Sequence, residues 1–237
     1  MTEKPIQLNL GVFLREQWTF DNFVAESMAS HIAQQHLSLI ATGQSAENVL
    51  LWGRQGSGLT HLLQAACHSA AEHGLAAQYL PLEQYIHLSA SRVLADLSQL
   101  SVLCLDNVEQ CAGKPDWERA LFHLFNELKA RGHVLVCAMH VSPVELSVAL
   151  PDLRSRILSA ATFHISELTD EGKITALIKR AKNIALELPA EVASFLLSRV
   201  SRDPEELFRL LDSLGQASLS QHRKLTIPFV KQELGMA

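Results

Sequence analysis

The residues most able to do chemistry lie between Val49 and Leu63, where an apolar run, a glycine-rich turn and a second apolar run follow one another. Gly53, Gly58 and Thr60 occupy the two glycine positions and the hydroxyl position of G-x-x-x-x-G-K-[ST]. That spacing lets backbone N–H groups turn inward around phosphate oxygens, sets a helix N-terminus behind them and leaves a hydroxyl for a magnesium ion. The stretch Gly53, Arg54, Gln55, Gly56, Ser57, Gly58, Leu59, Thr60 and His61 is therefore read as a phosphate-binding loop. Its lysine is missing, and Leu59 stands there instead. Leucine offers no cation to the outer phosphate, so the expectation is nucleotide binding with weak hydrolysis and a bias toward the diphosphate. Arg54 could supply a substitute charge. The alternative is a glycine-rich strand-to-helix turn that holds no ligand.

Downstream, Val102-Leu103-Cys104-Leu105-Asp106 is an apolar strand ending in an acid, the arrangement that brings a carboxylate to the magnesium shell beside the phosphates. Thr60 and Asp106 are thus the expected metal residues. The second acid that would activate water is replaced by Asn107, which cannot act as a base; Glu109 follows two positions on. His140, at the end of the apolar run Val134–Met139, stands where a side chain could sense the outer phosphate. Leu150-Pro151-Asp152-Leu153-Arg154-Ser155-Arg156 reads as a turn presenting Arg156 to a neighbouring subunit's nucleotide, where such a guanidinium supplied in trans is worth roughly 10³–10⁵ in rate. Arg154 reads as a solvated or structural charge. Ordinary alternatives stand beside each: a turn residue for Asp106, a solvated strand-end histidine for His140, a surface arginine for Arg156.

These groups need a frame. Short apolar runs at Asn48–Trp52, Ala77–Leu82, Val102–Leu105, Val134–Met139 and Ala161–Ile165 suit strands of a buried parallel sheet, and helical patterns separate them. Helices are expected over Asn22–Ile40, Leu59–Glu72, Glu83–Gln99 and Asp116–Ala130. After about Leu168 the alternation stops, and Asp170–Glu187, Pro189–Val200, Pro204–His222 and Pro228–Leu234 all read as helix. Pro189 and Pro204 suit first helical turns, and Asp203 with Glu206 resembles a capping box. The expectation is an α/β parallel five-stranded sheet domain followed by a small all-helical domain.

Composition bounds the partners. Of 237 residues, 48% are hydrophobic, enough for a sizeable core, and the net charge of −5 argues against electrostatic duplex binding as the default. Cys67, Cys104, Cys111 and Cys137 form no C-x-x-C pair and are expected as buried reduced thiols. No apolar run approaches the ~18 residues of a membrane span, and no leader pattern opens the chain, so a cytoplasmic location with no membrane partner is expected.

Taken together these motifs resemble the DnaA-type AAA+ family, and within it the DnaA-related regulatory inactivators. Thr19-Phe20-Asp21-Asn22-Phe23-Val24 matches the opening motif of that module, and Gly58, Thr60, His61, Leu62 and Leu63 match its phosphate loop. Asp106 and Arg156 match its acid and arginine finger, and Leu225-Thr226-Ile227 with Val230 resembles the end of its lid. The resemblance spans residue 18 to the C-terminus. It implies an AAA+ P-loop nucleotide-binding domain (18–168) and a helical lid (169–237); residues 1–17, mixed and without helical periodicity, are expected as an extended tail. It also implies Phe23 and Val24 beside the base, and ADP or another nucleotide with magnesium as ligands. The chain stops where DnaA carries its DNA-binding domain.

Gln7-Leu8-Asn9-Leu10-Gly11-Val12-Phe13 resembles the clamp-binding peptide of bacterial replication proteins, with Gln7, Leu8, Leu10, Val12 and Phe13 as its contacts. The implied partners are DnaA, the beta sliding clamp of the replicative DNA polymerase, and DNA mainly through the clamp. A homo-oligomer stays open. One departure concerns the lid: the family's sensor arginine aligns with Glu205, flanked by Arg202 and Arg209, and Glu205 is better explained by the helix dipole. The implied activity is a regulator of replication initiation with little intrinsic ATPase that stimulates hydrolysis of DnaA-bound ATP. The alternative is an active AAA+ ATPase such as a helicase loader or DnaA-like motor.

Overall fold

A computed structural model describes residues 14–15 and 17–236. Five parallel strands, β1 (Val49–Trp52), β2 (Ala77–Pro81), β3 (Val102–Asp106), β4 (Val134–Met139) and β5 (Ala161–His164), lie in the order β2-β3-β4-β1-β5. The registers Leu50↔Cys137, Leu51↔Phe163 and Leu103↔Leu135 put the strand C-termini at one edge of the sheet. β3 and β4 are buried along their whole length, as expected where helices cover both faces. β5, paired only with β1, alternates between half-buried and exposed residues.

Helices α1 (Met28–Ala41) and α2 (Leu59–Glu72) precede β2. The expected long helix over Glu83–Gln99 is instead broken into α3 (Leu82–Tyr85), α4 (Ala90–Val93) and a single 3-10 turn at Leu97–Gln99. Asp96 takes φ 62°, which ends the helical path. Ser89 and Ser91 bond each other through their hydroxyls at 3.0 Å, and Ser89 is extended at the start of α4. Serine and aspartate compete with helix hydrogen bonds in this way. The 22–40 helix likewise starts late, at Met28, because Ser27 caps it by accepting the Ser30 N–H.

The helix α5 (Pro115–Arg131) follows β3, with Pro115 in its first turn and Gly132 left-handed at its C-cap. Its buried residues Trp117, Leu121, Leu124, Phe125 and Leu128 fill one core cluster with Leu103, Leu105 and Leu135 of the sheet. The helix α6 (Pro151–Leu158) occupies the segment expected as a turn, and Leu153 and Ile157 join the same cluster. All four cysteines are buried free thiols; burial pushes Cys111 and Cys137 each up to about 12.

The remaining helices are α7 (Asp170–Asn183), α8 (Ala190–Arg199), α9 (Pro204–Gln221) and α10 (Ile227–Glu233). They pack Leu177, Val192, Leu196, Leu211, Leu214 and Phe229 into a core of their own. α7 stops four residues before the expected Glu187, because Ala185 is left-handed and Leu186 N–H returns to the Ala181 carbonyl. Pro189 is the N-cap of α8 and lies just outside its first turn, whereas Pro204 opens α9 as expected. Asp203 caps α9 through the Glu205 N–H at 3.1 Å, one residue earlier than a capping box would place the bond.

The chain divides into two compact units: Ser27–Ser166 with the segment ending at Phe20, and Asp21–Glu26 with Glu167 onward. Within the second unit, Glu26 accepts the backbone N–H and hydroxyl of Thr169 at 2.7 and 2.6 Å. A Cβ at Gly172 would meet that carboxylate at 2.3 Å. No helix among the described residues is long and apolar enough to cross a membrane.

Candidate functional site

The site is built where β1 hands over to α2. Gly53 N–H donates to the Met139 carbonyl at the end of β4 (3.2 Å), which fixes the turn to the neighbouring strand. A Cβ at Gly53 would sit 2.2 Å from the Ile165 carbonyl oxygen, so only glycine lets the chain pass. Gly56 (φ 83°) and Gly58 (φ 95°) are both left-handed and fold the loop back into α2, whose N-cap is Gly58. Arg54, Gln55 and Gly56 face solvent. Ser57 is only 4% exposed, yet its hydroxyl has no protein partner. A buried hydroxyl left unmatched beside a helix N-terminus, in a loop that must be glycine at its first position, fits a phosphate group.

Across from the loop, Asp106 is 1% exposed and fully engaged. Its Oδ2 accepts from the Thr60 hydroxyl at 2.7 Å and from the Tyr79 hydroxyl at 2.9 Å, and its Oδ1 accepts the Asn107 N–H at 3.0 Å. The two expected metal residues are thus in direct contact, which suits a magnesium ion held between them and a phosphate. Burial, reinforced by the Asp106 charge, pushes the Tyr79 phenol far above its usual range, so it stays protonated as a donor. Asn107 is left-handed at φ 57°, as asparagine tolerates, and starts a 3-10 turn at Val108–Cys111.

That turn carries Glu109. Burial raises its pKa, against the opposing pull of its own N–H, the His140 N–H and the His140 ring. Its Oε2 is buried without a partner. His140 Nδ1 donates to the Gly53 carbonyl at 3.2 Å, so the side chain that follows β4 is locked onto the loop itself. The structure therefore gathers Gly53, Ser57, Thr60, Asp106, Glu109 and His140 at one edge of the sheet. Leu59 is 1% exposed and belongs to the core. No cation arises from that position.

The other expected residues are placed within their own units. His61 Nε2 donates to the Thr19 carbonyl at 2.8 Å and its ring stacks on Trp18, so it anchors the chain leading into the domain. Phe23 and Val24 belong to the second unit, where Lys179 Nζ donates to the Phe23 carbonyl at 3.1 Å. Arg156 lies half-buried on α6 with no ion pair among the described residues, and Arg154 is exposed. Glu205 is exposed in the first turn of α9, and Arg202 pairs with Asp170. Gln7, Leu8, Leu10, Val12 and Phe13 lie outside the described residues.

Two contributors went unread in the sequence. Tyr79 sits in β2 as an ordinary aromatic strand residue, and only the β2–β3 register brings it to Asp106. Glu118 is 2% exposed and accepts three backbone N–H groups: Gly113 and Ala149 at Oε1 (2.8 and 3.1 Å) and Leu150 at Oε2 (2.8 Å). Its burial would raise the pKa, but the three donors outweigh it and hold the carboxyl below its usual range. A charge on the buried stripe of α5, three residues before Leu121, was the available signal.

Comparison with known proteins agrees with this architecture. Residues 14–163 match the family described as the bacterial DnaA ATPase domain, and residues 170–234 match the one described as the Hda lid domain. Among solved structures, domain III of the Thermotoga maritima replication initiation protein DnaA superposes with a TM-score of 0.77 at 24% identity, covering 93% of this chain and 97% of that one. AMPPCP-bound DnaA from Aquifex aeolicus gives 0.71 at 23% identity, over 86% of this chain and 67% of that one. A variant of Thermotoga maritima RuvB gives 0.66 at 16% identity, over 90% of this chain and 70% of that one. A five-stranded parallel sheet with a glycine-turned loop, followed by helices that match this lid, makes the chain a member of the DnaA-type AAA+ family, its sheet domain of the bacterial DnaA ATPase kind and its C-terminal helices of the Hda-lid kind.

Proposed function

We propose that the protein is a DnaA-related regulator of replication initiation that holds a nucleotide, ADP, without turning it over appreciably. In this reading it docks on the sliding clamp through Gln7, Leu8, Leu10, Val12 and Phe13, and reaches DNA through the clamp. From there it lends Arg156 to the nucleotide site of ATP-bound DnaA in the cytoplasm.

The observation that carries the reading is a loop turned by Gly53, Gly56 and Gly58 ahead of α2, joined to a buried leucine where the motif calls for lysine. Backbone N–H groups and the Ser57 hydroxyl serve the inner phosphates, and Thr60 with Asp106 would hold magnesium. The ion would supply charge neutralisation at the phosphates. The outer phosphate lacks its lysine, and Asn107 cannot take a proton from water. A half-buried Arg156 on α6, with no ion pair among the described residues, supports donation in trans.

The test is ATP turnover by DnaA on clamp-loaded DNA. The intact chain should accelerate it and Arg156→Ala should not, while both bind ADP equally; acceleration by Arg156→Ala sinks the finger assignment. Gln7→Ala with Leu10→Ala should lose clamp capture and keep the fold. The alternative, an active ATPase, draws support from Glu109, a half-buried residue with a buried Oε2, two residues from Asn107 and close to His140. Turnover by the isolated protein at about 1 per second or faster, within the usual range for enzymes, would favour it.

A further inference from the structure

Helix α6 carries Arg156 and must be fixed in two respects, its rotation and its position along the axis. Leu153 and Ile157, four residues apart, are buried in the core and set the rotation. They turn Arg154 and Arg156 to opposite flanks of the helix. Apolar contacts do not set the axial position sharply, because they tolerate sliding.

The start of α6 has no side-chain cap of its own: Leu150 is its N-cap residue and offers no acceptor. The acceptor comes from α5. Glu118 Oε2 takes the Leu150 N–H and Oε1 the Ala149 N–H, while the Gly113 N–H ties the same carboxylate to the loop before α5. The buried anion thereby pins the two residues just ahead of Pro151. The Arg154 N–H then closes the first helical bond onto the Leu150 carbonyl at 3.1 Å.

We propose that Glu118 is the positioning residue for Arg156, fixing where along its axis α6 presents the guanidinium. The proposal rests on Arg156 acting in trans as described above. A shift of about 1 Å in a catalytic group can cost on the order of 100-fold in rate. Glu118 itself touches no nucleotide.

The experiment compares Glu118→Gln and Glu118→Ala with the intact protein in stimulating hydrolysis of DnaA-bound ATP, titrated over protein concentration. Glu118→Gln keeps one acceptor oxygen and sets an amide against an N–H donor. Its maximal stimulated rate should fall about 10-fold and that of Glu118→Ala about 100-fold. The half-saturating concentration and the affinity for ADP should not change. Amide exchange should quicken selectively from Ala149 to Arg156, with the sheet unaffected. A full maximal rate reached only at higher protein concentration, or exchange that quickens uniformly, would mean a general loss of folded protein and overturns the proposal. Should Glu118→Ala not fold, Glu118→Gln alone decides. Arg156→Ala separates the two ideas. If it still stimulates, the finger reading fails, and the exchange pattern alone then judges whether Glu118 holds α6. If it does not stimulate while Glu118→Gln matches the intact protein, only the positioning role fails.

Discussion

Thr60 and Asp106, 46 residues apart in the chain, are joined by a 2.7 Å hydrogen bond from the threonine hydroxyl to Oδ2. The same oxygen accepts from Tyr79, so the buried acid is held by one donor from the loop helix and one from the neighbouring strand. Tyr79→Phe removes a hydrogen bond to a charged acceptor without opening a cavity. Urea unfolding should show a loss of about 2 kcal/mol with an unchanged m-value. An unchanged midpoint would mean that Asp106 does not depend on the phenol.

Gly53→Ala tests the cradle. The added methyl would lie 2.2 Å from a backbone oxygen that cannot swing aside. The variant should lose about 3 kcal/mol and shift the backbone of the loop. Fluorescence titration with a labelled ADP should show affinity reduced at least tenfold in any folded fraction.

Leu59→Lys restores the residue type that the loop motif calls for. Its stem can follow the buried path of the leucine, with the ammonium emerging at the loop. Without ligand, the buried charge should lower the melting temperature. With ligand, a charge-assisted bond to the outer phosphate should shift preference toward ATP over ADP by about tenfold, read as a ratio of dissociation constants. An unchanged ratio would show that the leucine is not what biases the site.

Glu109 predicts a pH dependence. Burial raises its folded pKa above the unfolded value, so the folded state holds the proton more tightly. The favourable contribution is present below the unfolded value and is lost as pH rises through the folded one. Glu109→Gln should therefore be more stable than the intact protein at pH 7, and the advantage should vanish near pH 4. Thermal melts of both proteins across that range give the answer; an equal difference at every pH rules the burial cost out.

The sequence by itself determined the strands, to within a residue or two, and the change from alternating elements to helices near Leu168. Periodicity and glycine placement are local properties, written directly in the chain. The glycine-rich loop, Asp106 and the substitutions at Leu59 and Asn107 were legible for the same reason: each is defined by residue type at fixed spacing. The break-up of the 83–99 helix was not, because a left-handed Asp96 and a pair of bonded serines override a good helical pattern. Only the tertiary structure decided that Tyr79 guards Asp106, that His140 bonds Gly53, that His61 turns toward Thr19, and that Glu118 holds the start of α6. Those relationships depend on strand order and on which helix crosses which loop. Hydrogen bonds across 27 to 87 residues of chain leave no periodic trace in the sequence that encodes them.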